Sequence, residues 1–140
     1  MSPVAPVSRE RIRAVLDKRS VRHKIDKDGD LVVSMSADED VPYDVAVFLS
    51  IENEYIFAVR AIPSAEIAQD KQSDAILFAN KWNKVKRWPK AFLHDGYNRV
   101  VGELHHDLEQ GVHDELLEDM VRMSISASWA MFKELAKTGM

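Results

Sequence analysis

Apolar residues recur along this chain at two spacings, and the spacing switches several times. Ile12, Val15 and Leu16 step by three and one behind Ser8, whose hydroxyl can accept an orphan backbone N–H. That predicts a short helix ending near Arg19-Ser20. His23–Ile25 and Leu31–Met35 flank Asp26-Lys27-Asp28-Gly29. Asp-Gly readily supplies turn geometry, so the pair reads as a hairpin. Ala37–Val41 is an acidic loop. Tyr43–Glu52 then alternates, with Tyr43, Val45, Val47, Leu49 and Ile51 opposite Asp44, Ala46, Phe48, Ser50 and Glu52. Asn53-Glu54 turns the chain and Tyr55–Ile62 alternates again up to Pro63. Period two means strand. Neither face of these two strands is cleanly polar, which predicts cover on both faces over part of their length.

Beyond Pro63 the helical rhythm returns. Ser64 is placed to cap a helix from about Ala65 to Lys84, with Ile67, Ala75, Ile76, Ala79 and Trp82 as its apolar residues. Asn80 and Asn83, three apart, share a face with Ile76. Pro89 cannot donate to a ladder and pushes Trp88 out of the α region, so the helix stops between Lys84 and Arg87. Ala91–Leu93 and Val100–Leu104 form a hairpin around Asp95-Gly96, and Gln110-Gly111 breaks it. The longest helix spans Asp114–Leu135. Leu117, Val121, Ser124, Ser128, Met131 and Leu135 make its core-facing stripe, with Leu116, Met120, Met123 and Ala127 beside it. The expected architecture is α+β: helix, four strands, helix, two strands, helix, as an antiparallel twisted sheet flanked by helices. Residues 8–140 form one domain behind a flexible tail, residues 1–7.

Composition narrows the function classes. The 140 residues contain no cysteine, which excludes disulfides, thiolate nucleophiles and cysteine metal sites. Met1–Val7 has neither the basic nor the apolar region of a signal peptide, and no run reaches the roughly 18 apolar residues of a membrane helix. The cytoplasm is the expected compartment. A net charge of −4 makes nucleic acid an unlikely main partner.

Candidate chemistry is sparse. His105-His106-Asp107, with His113 and Asp114 nearby, is the best metal candidate, and a small metal-dependent enzyme is the reading it would support. Adjacent strand residues point to opposite faces, however, so His105 and His106 cannot serve one site without a bulge. In Asp26-Lys27-Asp28-Gly29-Asp30, the calcium-loop places that need Gly and Glu hold Leu31 and Ala37. No G-x-S-x-G occurs, and the five glycines form no phosphate loop. No catalytic residue, metal or cofactor is assigned. The polar pair Asn80 and Asn83 either bonds neighbouring backbone, locking the helix end onto the next strand, or anchors a peptide or ligand. Lys81–Lys90 is either a solvated face or, with Trp88, a surface for an acidic peptide or single-stranded nucleic acid. Arg9, Arg11, Arg13, Lys18, Arg19, Arg22 and Lys24 pose the same choice at the other end of the chain.

Asn80, Trp82, Asn83, Arg87, Trp88, Lys90, Ala91, Leu93, Asp95 and Gly96 together resemble the YbjN family. Its members are regarded as bacterial sensory transduction regulators, with a fold similar to that of type III secretion chaperones. The resemblance implies a non-enzymatic, chaperone-like or regulatory module that binds an unknown protein partner. Asn80, Trp82, Asn83, Arg87, Trp88 and Lys90 are its candidate partner-binding residues. The pattern departs at His113, where a small hydroxyl residue is expected to cap the last helix. The resemblance also implies a homodimer. Apolar character extending round the last helix through Met123, Ile125, Trp129 and Phe132 supports that implication independently.

Overall fold

Ser8 starts the first helix as expected. Its hydroxyl accepts the Arg11 N–H at 3.2 Å, and helix α1 runs Arg9–Lys18 with Ile12, Val15 and Leu16 buried. The computed structural model describes residues 2–140. Strands β1 (Lys24–Ile25) and β2 (Leu31–Met35) form the first hairpin, followed by β3 (Val45–Glu52) and β4 (Ile56–Pro63). A single 3-10 turn, Gln69–Lys71, leads into α2 (Gln72–Val85); β5 (Lys90–His94), β6 (Arg99–Asp107) and α3 (Asp114–Ala136) complete the chain. All strand pairs are antiparallel, and the sheet order is β1-β2-β3-β4-β6-β5.

The pleat sorts the strands into two faces. Leu31, Val33, Val45, Val47, Leu49, Phe57, Val59, Ala61, Val100, Leu104 and Ala91 point one way. They join Ile12 and Leu16 of α1, Ala75, Ala79 and Trp82 of α2, and the α3 stripe in one buried cluster. All three helices therefore pack on this face. The opposite face carries Ala46, Phe48, Ile62 and Arg60, each part-exposed, and no helix crosses it. Cover on the second face is partial and comes without a second layer: Val32, Ala58 and Val101 are buried there, whereas Ala46, Phe48 and Ile62 are half-exposed.

The stripe on α3 is as expected, with Leu117, Val121, Ser124, Ser128, Met131 and Leu135 all buried. The Ser128 hydroxyl donates to the Ser124 carbonyl at 2.7 Å, so this buried polar group has a partner within its own helix. His113 does cap the helix: its Nδ1 accepts the Leu116 N–H at 3.1 Å, an imidazole nitrogen where a hydroxyl was expected. Phe132 is fully buried and stacks edge-on against Tyr43 at 6.2 Å, so it is core and not part of an exposed α3 surface. Burial pushes the Tyr43 hydroxyl up to about 12.

Residues 2–7 make defined contacts where a loose tail was expected. Ala5 exchanges backbone hydrogen bonds with Val112, Val7 is buried, and the Ser2 hydroxyl accepts the Asp114 N–H. Arg11 holds the junction together by donating to the carbonyls of Ala5, Pro6 and Val112 and to the Asp114 carboxylate.

Candidate functional site

The corner where α2 meets β5 is built from two side chains that satisfy strand backbone. Trp82 is buried, and its Nε1–H donates to the Pro89 carbonyl at 2.8 Å. The Asn83 amide accepts the Ala91 N–H and donates to the Ala91 carbonyl, both at 2.9 Å, pairing with β5 as a neighbouring strand would. β5 is the sheet's edge, so these bonds cap a row of groups that would otherwise face water. The Trp88–Pro89 peptide is cis at this junction. Gly102 of β6 lies beneath it: a β-carbon there would sit 3.0 Å from Pro89 Cγ and 3.3 Å from Met131 Cε. The absent side chain lets the corner and α3 close over the sheet.

The six candidate residues separate into three groups. Trp82 and Asn83 point into the corner. Lys90 reaches back across the open face of the sheet to Glu103, 3.2 Å away. Asn80, Arg87 and Trp88 are exposed, Trp88 at 47%. Asn80 and Asn83 therefore do not act as a pair; only Asn83 bonds neighbouring backbone. Ile76 is also turned outward, at 56% exposure, and is not an apolar core residue of α2.

Helix α2 starts at Gln72 and not at about Ala65, because Ser64 is used elsewhere. Its N–H donates to the Asp44 carbonyl, and its own carbonyl accepts Arg99. Ile67 is buried with its N–H on the Asn98 carbonyl, and the Gln72 side chain donates to Asn98 Oδ1. Segment 64–68 is thus held extended, tied in part to the β5–β6 turn, and only the 3-10 turn Gln69–Lys71 precedes α2.

The outer side of α2 is where exposed apolar surface concentrates. Eight large apolar side chains are exposed among the described residues, and four of them, Ile76, Leu77, Val85 and Trp88, fall within residues 76–88. A cleft of about 600 Å³ runs between α2 and the end of α3, floored by Leu77, Phe78, Trp82, Val85 and Met140. Lys71, Lys81, Lys86 and Lys137 stand round it, with Asp74 and Glu134. Sequence reasoning singled out the tryptophans and lysines here but missed Leu77 and Val85, which fall outside the buried stripe. A search for apolar residues opposite that stripe would have found them.

The histidine cluster is split by the pleat. His105 lies on the open face, 3.9 Å from Glu52 and 3.8 Å from Glu103. His106 lies on the helix face, stacked on Phe57 at 5.5 Å and 3.4 Å from the Ser124 hydroxyl, and burial holds it below the usual histidine range. Among the described residues no group of three or more His, Cys, Asp or Glu is placed to hold a metal ion. Asp26 instead caps its own turn, accepting the N–H groups of Asp28 and Asp30 at 2.9 Å each. Glu103 anchors an ion network on the open face. Burial pushes its carboxyl up, but hydrogen bonds from Arg60 and Lys90 outweigh that and hold it below the usual range.

No helix among the described residues is long and apolar enough to cross a membrane. The fold is similar to a crystal structure described as "YbjN, a putative transcription regulator from E. coli". The match has a TM-score of 0.79 at 16% identity and covers 98% of this chain and 96% of that one. No curated protein matches the chain. Over residues 8–137 the sequence matches the model of the family described as "YbjN: Putative bacterial sensory transduction regulator". With that match spanning nearly its whole length, the chain belongs to the YbjN family.

Proposed function

We propose that the protein is a non-enzymatic, chaperone-like regulatory module that acts in the cytoplasm by binding another protein. One observation carries the reading: the exposed Leu77 and Val85 share one side of α2, with Trp88 exposed just beyond its end, while another side of the same helix is fixed to β5 by Trp82 and Asn83. An apolar row in water on a firmly held helix is what a docking surface requires. The family's description as a sensory transduction regulator supports the regulatory part. The split histidine pair gives the metal-enzyme alternative no matching support. The test is capture from native cell extract, read by mass spectrometry, with wild-type protein and with Arg87→Glu/Trp88→Ala as bait. A protein enriched by wild type, and lost with a variant of unchanged melting temperature, is the expected result. Failure to enrich any protein over a heat-denatured bait would overturn the reading.

Self-association is part of the same proposal. Met123, Ile125 and Trp129 on α3 are only half-buried, and Ile125 and Trp129 border a cleft of about 440 Å³ that also includes Leu16, Val21 and Met35. A two-fold contact burying about 1,200–2,000 Å² would cover this face. Light scattering should give about twice the 15.9 kDa chain mass, falling on Trp129→Asp without unfolding. A mass of one chain, unchanged on concentration, would exclude the dimer.

A further inference from the structure

Two groups of cations on this protein contrast. Those near α1 are largely engaged within the chain: Arg9 with Asp30, Arg11 with Asp114, and Lys18 and Arg19 with Glu118. Those on α2 and the link after it are not. Among the described residues, no ion pair within 4.0 Å involves Lys71, Lys81, Lys84, Lys86 or Arg87. Lys86 lies over the Trp82 ring, 5.9 Å from its centroid. Of the two acidic side chains at the cleft, Glu134 is already paired with Lys137 at 3.0 Å, and Asp74 faces Lys71, Lys81 and Lys86, which have no ion pair among the described residues.

From this charge pattern and the apolar floor we infer that the α2–α3 cleft takes an acidic amphipathic helix of the partner protein. Leu77 and Val85 lie eight residues apart on α2 with Lys81 midway, so all three fall on one side of the helix. A docked helix can lay its apolar edge on Leu77, Phe78 and Val85 while its Glu and Asp side chains meet Lys71, Lys81 and Lys86. The whole 14-residue α2 is about 21 Å long at about 1.5 Å per residue, so a partner helix of similar length spans it. An apolar strip this exposed distinguishes the surface from a phosphate-backbone site, which needs charge and stacking but no aliphatic floor.

The inference rests on the protein-binding reading above and can fail separately from it. The probe is a fluorescein-labelled designed helix of about 14 residues, with leucines at i, i+3, i+4 and i+7 and glutamates elsewhere. Its counterpart carries lysines in place of the glutamates. The glutamate helix should bind, and the lysine helix at least about tenfold more weakly. Leu77→Asp should abolish binding, and Lys81→Glu/Lys86→Glu should reverse the preference between the two helices, with both variants melting as wild type does. Equal binding of both helices, no binding of either, or indifference to Leu77→Asp would overturn the inference. So would displacement of the peptide by a single-stranded oligonucleotide that itself binds with a steep salt dependence. If the extract partner is still captured by Leu77→Asp and by Lys81→Glu/Lys86→Glu, the protein-binding reading stands and the cleft is the wrong surface.

Discussion

Removing the indole of Trp82 should be among the most damaging single changes at the α2–β5 corner. The side chain is 5% exposed, packs with Phe78 at 6.3 Å and donates to the Pro89 carbonyl. Truncating a buried aromatic to alanine costs about 3–5 kcal/mol. For a domain of this size about 1 kcal/mol lowers the melting temperature by roughly 3 °C, so Trp82→Ala should lose about 10–15 °C. Trp82→Phe keeps the ring volume in part but removes the donor to Pro89, and should cost about 1–2 kcal/mol. Asn83→Ala strips Ala91 of two hydrogen-bond partners and should cost a similar amount, softened where water reaches the half-buried groups. Asn80 provides the control. It has the same chemistry three residues earlier, is exposed and has no side-chain hydrogen bond among the described residues, so Asn80→Ala should stay within about 0.5 kcal/mol of wild type. Thermal melts by far-ultraviolet circular dichroism, with urea midpoints as a second measure, read all four. Equal effects of Asn80→Ala and Asn83→Ala, or a Trp82→Ala protein melting within about 3 °C of wild type, would refute the account of the corner.

Three further outcomes are expected. His106 is held neutral by burial, so its folded pKa lies below its ordinary value of 6.5. The unfolded chain then binds the extra proton first, and stability should fall as pH drops below about 6.5, with a shallower fall in His106→Gln; identical urea midpoints across pH 5 to 7 would contradict this. Gly102→Val would press on Pro89 and Met131 and should cost about 1–3 kcal/mol; an unchanged urea midpoint would mean that β6 can move away from both. Gly111 has φ +86, and an added β-carbon would sit 3.0 Å from the Ala5 carbonyl oxygen. Gly111→Ala should therefore lose about 1–2 kcal/mol and speed proteolysis of residues 2–7, and a wild-type cleavage rate would count against that packing.

What could be read from the sequence was set by local rules. The Ser8 cap, the α3 stripe and the paired alternation of β3 and β4 each depend on residues within a turn or a strand of one another. What could not be read depended on distant partners. Ser64 has the chemistry of a helix cap, but Asp44 and Asn98, far away along the chain, hold its segment extended. Residues 2–7 carry no pattern of their own, and their hydrogen bonds run to Val112, Asp114 and Arg11. Within the candidate site, the types Trp82 and Asn83 were visible but their directions were not. Residues three apart on a helix differ by about 60° round its axis, enough to place Asn83 on β5 and leave Asn80 in water.

The two sides of α2 make stability and recognition separable by mutation. Asn83 and the Trp82 Nε1–H serve the join to β5, whereas Leu77, Lys81 and Val85 lie on the opposite, wetter side. Leu77 is 66% exposed and Val85 64%, so replacing either removes little packed contact in the isolated chain. Trp82 belongs to both sides, because its ring also floors the cleft. A binding defect in Trp82→Ala would therefore be ambiguous, since the variant loses the corner as well as the floor. A defect in Leu77→Asp with an unchanged melting temperature has no such ambiguity. Substitutions at the residues most recognisable in the sequence report on the fold, and those at the plainer residues behind them report on what the fold presents.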